Sequence, residues 1–400
     1  MEIARILNQN KNQEQYTPVN TVFQTKIVRY VALPIVVALS LIILGGGWYF
    51  SDVLEKDGLK IDNEPGDFLV KITEVNEDTI TLQQIKGVET EENLTISALW
   101  GISNDESYGQ LGEVILVNKD SVIREFKILE GEFNPGDHAR LDRTAYPHDP
   151  YSAHKLDYSE IMIDAPLGEI GAWIVEADSD NWAILVHGRT DNKDSSLKII
   201  DDLHDLNVNS MTIDYRNDDN APPSKSGYYE FGTTEWEDLE AAVQYAISAG
   251  AKKIFLVGYS MGGGIVVNYQ LRSNLSQHTT AIILEAPMLH FGRTIDKGAE
   301  ERSVPAPITY AAKMLASVRF GVNWNAMDYL SNANEIDVPV LLIHGEADDT
   351  VPVETSIEFA NTIPHLVDLH TYAEVGHVEV WNWYPHEYTK LIKEFIGSFR

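Results

Sequence analysis

From residue 158 to the C-terminus, short continuous apolar runs alternate with stretches whose apolar positions recur every three or four residues. The runs fall at 181–186, 210–215, 253–257, 281–284, 340–343 and 367–372. Runs of this length without polar alternation are what strands buried on both faces require. Between them, 235–249 carries Trp236, Leu239, Val243 and Ile247 at helical spacing, so one side of a helix faces the core and the other faces water. Residues 262–272 and 387–399 read as helices too, and 161–163 and 171–176 predict an antiparallel start to the sheet. Strand and helix in alternation predict an α/β domain over 151–400, a mostly parallel sheet with helices on both faces. The segment 288–327 breaks the alternation and reads either as a lid or as an ordinary surface excursion.

Upstream the rhythm differs. Runs at 68–75, 79–85, 113–117 and 121–128 surround the polar turns Asn76-Glu77-Asp78 and Asn118-Lys119-Asp120 and predict a small β module within 67–150. Residues 131–150, with Pro135-Gly136 and Pro147, read as its connection to the α/β domain. No catalytic constellation lies in the module, so a spacer or packing role is expected.

Residues 30–50 carry no charge and are long enough to cross a hydrocarbon core as one transmembrane helix, with Trp48 and Tyr49 as an interfacial edge. A signal sequence and a buried core helix are the other readings of this stretch. Arg5, Lys11, Lys26 and Arg29 precede it against Glu2 and Glu14, whereas residues 51–80 hold three lysines against nine acids. Basic flanks stay in the cytoplasm, so 1–29 is expected as a cytoplasmic tail and 51–66 as a linker. The catalytic domain would then sit outside the cell membrane, an extracytoplasmic domain on a single-pass anchor. The whole chain holds 61 acidic and 30 basic residues, a formal charge of −31, which argues against nucleic acid or an anionic membrane surface as the main partner. Cysteine is absent, which excludes disulfides, thiolate metal sites and a cysteine nucleophile.

The chemistry concentrates at Gly258-Tyr259-Ser260-Met261-Gly262, directly behind the run 253–257 and ahead of the helical stretch 262–272. A serine hydroxyl is a weak nucleophile, so it must be presented on a sharp strand-to-helix turn where a base can reach it. Glycines at 258 and 262 keep side chains out of that turn, and the helix N-terminus aims the Met261 N–H at the site as half of an oxyanion hole. The serine needs an imidazole and a carboxylate on loops after later strands. His344-Gly345-Glu346-Ala347-Asp348-Asp349 follows the run 340–343, and Gly376-His377 follows 367–372, in the order serine, acid, histidine. Spacing alone leaves Asp348 and Asp349 both open as the acid.

Together the elbow 258–262, the run from His344 to Pro352 and Gly376-His377 resemble the α/β-hydrolase superfamily over roughly 158–400, especially its serine aminopeptidase, monoacylglycerol lipase and prolyl-oligopeptidase-like branch. The resemblance implies a catalytic triad of Ser260, His377 as base and Asp348 as acid. His187-Gly188 resembles the family's oxyanion loop, which implies the Arg189 N–H as the second donor. The anchor and β module resemble membrane-bound bacterial members. The expected activity is hydrolysis of an ester, thioester or amide through an acyl-Ser260 intermediate, on a small-molecule or peptide acyl substrate, with no cofactor and no metal. A serine peptidase of aminopeptidase type and an inactive surface-anchored binding or scaffold protein are the alternatives. His187 and His344 read as hydrogen-bonding residues rather than bases. The acid-rich stretch 214–220 reads as a solvated turn, and Trp381 and Trp383 as pocket or core.

Overall fold

The computed structural model describes residues 32–88 and 91–399, so the expected tail 1–29 lies outside the described residues. A first helix, α1 (Leu33–Leu54), leads into a π-helical turn over Glu55–Leu59. A six-stranded closed barrel follows, built from β1 (Val70–Val75), β2 (Thr79–Gln84), β3 (Trp100–Ser103), β4 (Tyr108–Val117), β5 (Val122–Glu130) and β6 (His138–Asp142) in the order β1-β2-β5-β4-β3-β6. Two of these strands were not expected. β6 lies inside the stretch read as a connection, because its pairing partners are distant: Val70 on β1 opposite Ala139, and Ile102 on β3 opposite Leu141. Closing the ladder leaves no free sheet edge and encloses Val70, Ile72, Leu82, Trp100, Ile102 and Phe126.

The second body is an eight-stranded sheet of β7 (Ser159–Ala165), β8 (Gly168–Val175), β9 (Asn181–Val186), β10 (Asn209–Ile213), β11 (Lys253–Tyr259), β12 (Thr279–Glu285), β13 (Val340–Gly345) and β14 (Val367–Tyr372), in the order β14-β13-β12-β11-β9-β10-β8-β7. β8 pairs antiparallel with both of its neighbours, β7 and β10, and the other strands pair in parallel. Alternate residues of single strands enter different cores: Ile184, Val186 and Leu256 one, Ala183, Leu185 and Phe255 the other. The sheet is therefore buried on both faces, which explains the unbroken apolar runs. The longer helices after α1 are α2 (Trp236–Ser248), α3 (Met261–Arg272), α4 (Phe291–Glu301), α5 (Ala306–Phe320), α6 (Val353–Thr362) and α7 (Pro385–Gly397). α4 and α5 make up most of the segment 288–327.

The expected linker 51–66 is corrected in its first half. Helical structure continues to Leu59, because Leu54 and Leu59 are buried in the main core, each burial worth about 1.5–3 kcal/mol. The segment 221–232 receives them: Tyr229 N donates to the Leu59 carbonyl at 2.9 Å, and the Tyr228 hydroxyl donates to Glu55 at 2.8 Å.

Candidate active site

β11 ends at Tyr259 and α3 begins at Met261, which leaves Ser260 alone on the turn with φ 50° and ψ −116°. A non-glycine residue is held there only where its surroundings over-determine it. They do: Ser260 N donates to the Glu285 carbonyl at 3.0 Å, and the Ser260 carbonyl accepts from Met288 N at 2.8 Å. A Cβ on Gly258 would lie 2.7 Å from the Gly262 oxygen, and one on Gly262 would lie 2.2 Å from the Val186 oxygen. Both glycines are thus required by close approach of backbone to backbone.

His377 sits on the loop after β14, near Glu374 and Val378, both at positive φ of 63° and 56°. Its Nε2 lies 2.8 Å from Ser260 Oγ and its Nδ1 lies 2.7 Å from Asp348 Oδ2. An ionised carboxylate only accepts, so the proton stands on Nδ1 and Nε2 is free to accept from the serine hydroxyl. Asp348 follows β13 and is 1% exposed. Burial alone would raise its pKa, but hydrogen bonds from His344 and His377 overcome it and hold the carboxyl well below the usual carboxylate range. Its second oxygen accepts from Thr350 N at 2.8 Å and Val351 N at 2.7 Å. His344, between Asp348 at 3.1 Å and Ser356 Oγ at 2.7 Å, is fully buried and does not touch Ser260. Asp349 is exposed and accepts from the Thr350 hydroxyl.

Arg189 and Met261 line the same cavity as Ser260. The Gly188 carbonyl is held by the Tyr215 hydroxyl at 2.9 Å and His187 Nδ1 at 2.8 Å. Across a trans peptide N–H and C=O point oppositely, so fixing that carbonyl aims the Arg189 N–H the other way. A Cβ on Gly188 would lie 3.2 Å from Ser260 Cβ, which puts this peptide against Ser260.

The stretch 214–220 is not a solvated turn. Asp214, Arg216 and Asn217 are buried, and Asp218 Oδ2 lies 3.0 Å from His187 Nε2. Burial opposes charge on His187, yet Asp218 carries its pKa up to about 9. His187, Asp214 and Asp218 offer ligand atoms within 4.8 Å of one another. Lys193 already pairs with Asp214, and His187 has both nitrogens on acceptors, so the cluster reads as an ion-pair network that braces the loop from His187 to Arg189. Trp381 is buried in the core and, with Trp383, borders a cleft against the barrel rather than the serine cavity.

Sequence reasoning missed Arg143, just after β6, whose Nη1 donates to the His377 carbonyl at 2.9 Å. Asn382 ties the same region together, donating to the carbonyls of Leu99 and Arg143 at 2.7 Å each. The barrel therefore abuts the histidine loop. These partners are 234 to 283 residues apart, and no local pattern announces them.

The fold is that of an α/β-hydrolase, and Ser260, His377 and Asp348 stand on it in the arrangement of a serine hydrolase. The family model described as "Serine aminopeptidase, S33" matches residues 177–325. Among curated relatives, the uncharacterised protein YqkD of Bacillus subtilis is 25% identical over 232 residues, which cover 57% of this chain and 75% of that one. The lysophosphatidylserine lipase ABHD12 of Mus musculus is 23% identical over 262 residues, 58% of this chain and 60% of that one. Among solved structures, the esterase Pf2001 of Pyrococcus furiosus aligns with a TM-score of 0.51 at 21% identity, over 63% of this chain and 95% of that one, a likeness of fold.

Proposed function

We propose that the protein is a membrane-anchored serine hydrolase whose catalytic domain lies outside the cytoplasm and cleaves carboxylic esters through an acyl-Ser260 intermediate. The observation that carries the reading is the line from Ser260 Oγ through His377 to Asp348, at 2.8 and 2.7 Å, on a strained elbow. Ser260 Oγ attacks the acyl carbon while its proton passes to His377 Nε2. The tetrahedral oxyanion forms beside the Met261 and Arg189 amides, and His377 then protonates the leaving oxygen. Water, deprotonated by the same imidazole, releases the acid and restores Ser260. Asp348 keeps its charge throughout and holds the histidine in the tautomer that accepts from serine.

A largely apolar cavity of about 520 Å³ around Ser260, bordered by Phe231, Met288 and Phe291, suits an acyl group. The anchor is α1, which lies almost wholly outside the core along its apolar length, with Leu41, Ile42 and Leu44 each more than half exposed. The relative acting on lysophosphatidylserine supports a lipid ester as substrate. A second reading, aminopeptidase, is favoured by the family model's description and by Asp57, Glu301 and Asp349 in the cavity, which could meet a substrate ammonium. Turnover of medium-chain acyl esters and of an aminoacyl amide by wild type and Ser260→Ala tests both. The expected result is ester turnover that falls by about 10⁴-fold or more in the variant. A faster amide than ester reaction would favour the second reading, and activity surviving in Ser260→Ala would overturn both.

A further inference from the structure

The wall of the serine cavity is not supplied by the α/β domain alone. Phe50, Val53 and Leu54 of α1 line it beside Ser260, together with Ile295 of α4 and Thr309 and Ala312 of α5. α5 packs lengthwise on α1, and small residues set the contact. A Cβ on Gly46 would meet Ile308 at 3.0 Å, and one on Gly47 would meet Ala311 Cβ at 2.7 Å. Further along both helices, Arg319 donates to the Trp48 carbonyl, Ser51 and Asp52, with its guanidinium 4.0 Å from the Trp48 ring centroid. The contacts advance together, from Gly46 to Asp52 and from Ile308 to Arg319, so the helices run side by side in the same direction. On the outward side of α5, Tyr310, Met314 and Val318 are 68%, 56% and 84% exposed, and their spacing of four puts them on one face. On α1, Leu41 and Ile42 are likewise 65% and 61% exposed.

We infer that α1 and α5 form one membrane-seated pair and that the anchor is part of the active site, its Phe50 and Val53 forming the wall along which a long acyl chain from the bilayer lies against Ser260. The inference rests on the proposed acyl-Ser260 reading and names the substrate class of that site: a long-chain acyl ester taken from the membrane. Small residues at a close helix contact suit association inside lipid, where apolar burial supplies no drive and packing must. An apolar face open to water on both helices would be costly, whereas in hydrocarbon it needs no cover. The Trp48 and Arg319 pair sits where an aromatic and a cation belong at the edge of the hydrocarbon.

Two experiments on the full chain in phosphatidylcholine vesicles test this. The absence of cysteine allows single-site labels without background. A bimane on Met314→Cys should be quenched by brominated acyl chains about as strongly as one on Leu41→Cys, and one on Asp178→Cys, in the connection before β9 at the end of the sheet opposite Ser260, should not. No quenching at position 314, or interchain disulfide formation there without quenching, would assign the face to water or to a second copy and overturn the seat. Val53→Trp, which fills the cavity from the anchor side, should lower kcat/KM for a palmitoyl ester by about tenfold or more and for a butyryl ester by about threefold at most. Phe50→Ala, which empties the wall, should also lower the palmitoyl ester selectively, and Leu41→Phe should change neither. Parallel losses for both esters in both wall variants, or no loss in either, would overturn the wall. The rate of fluorophosphonate labelling at Ser260 separates the two levels. Labelling that persists in the variants keeps the catalytic reading intact whichever way the chain-length result falls. Labelling absent in the wild type overturns that reading and this inference with it.

Discussion

Asp348→Asn is the sharpest perturbation of the site because each carboxylate oxygen is committed. One oxygen accepts from His377 at 2.7 Å and His344 at 3.1 Å, the other from the amides of Thr350 and Val351 at 2.8 and 2.7 Å. An asparagine amide must turn its NH₂ toward one of these pairs. Turned toward the backbone amides, it opposes two donors and leaves buried groups unpaired, at about 1–3 kcal/mol of stability. Turned toward the histidines, it forces the His377 proton onto Nε2, and that nitrogen can no longer accept from Ser260. Loss of the productive tautomer costs about four orders of magnitude in kcat, or about 5.4 kcal/mol of transition-state stabilisation. Asp349→Asn alters an exposed carboxylate whose partner is the Thr350 hydroxyl, and its effect should stay within about tenfold. Steady-state kinetics of both variants with circular dichroism as the folding check decide the matter. A larger loss at Asp349, or a folded Asp348→Asn within tenfold of wild type, would refute the argument.

Arg143→Ala frees the His377 carbonyl from the barrel side and should lower kcat by about tenfold with KM unchanged, while a loss confined to KM would contradict a positioning role. The His187–Asp218 pair should make stability depend on pH: the histidine's pKa is raised to about 9 in the folded chain, so its contribution is complete below about 6.5 and fades as pH rises through about 9. Burial also pushes the Asp218 carboxyl up, which trims the net benefit of the pair. The Tm difference between wild type and His187→Gln should therefore shrink between pH 6.5 and 9.5, and a difference that grows would contradict the assignment. Protease added outside intact or wall-stripped cells should digest residues 51–400, and full protection behind an intact membrane would mean inverted topology.

What the sequence disclosed is local. The elbow, the strand runs and the two loops after β13 and β14 were legible because each depends on residues within a few positions of one another. Adjacent acids differ in direction and not in pattern, so in the sequence only the resemblance favoured Asp348 over Asp349. β3 and β6 escaped notice for a different reason. Trp100–Ser103 is buried throughout and shows no alternation, and His138–Asp142 becomes a strand through partners at Val70 and Ile102. The acids at 52, 55 and 57 read as linker, yet Leu54 and Leu59 find a core formed from segments far along the chain. The stretch 214–220 reads as solvated until His187, 31 residues before Asp218, arrives to pair with it.

The central claim is that Ser260 is the residue that becomes acylated. Treating the full-length protein with a fluorophosphonate probe, then digesting it and locating the adduct by mass spectrometry, tests this most directly. The account predicts a single adduct on the peptide containing Ser260, lost in Ser260→Ala and slowed by about three orders of magnitude in His377→Ala, which removes the base. An adduct on any other serine, or labelling of Ser260 at an unchanged rate without His377, would contradict it.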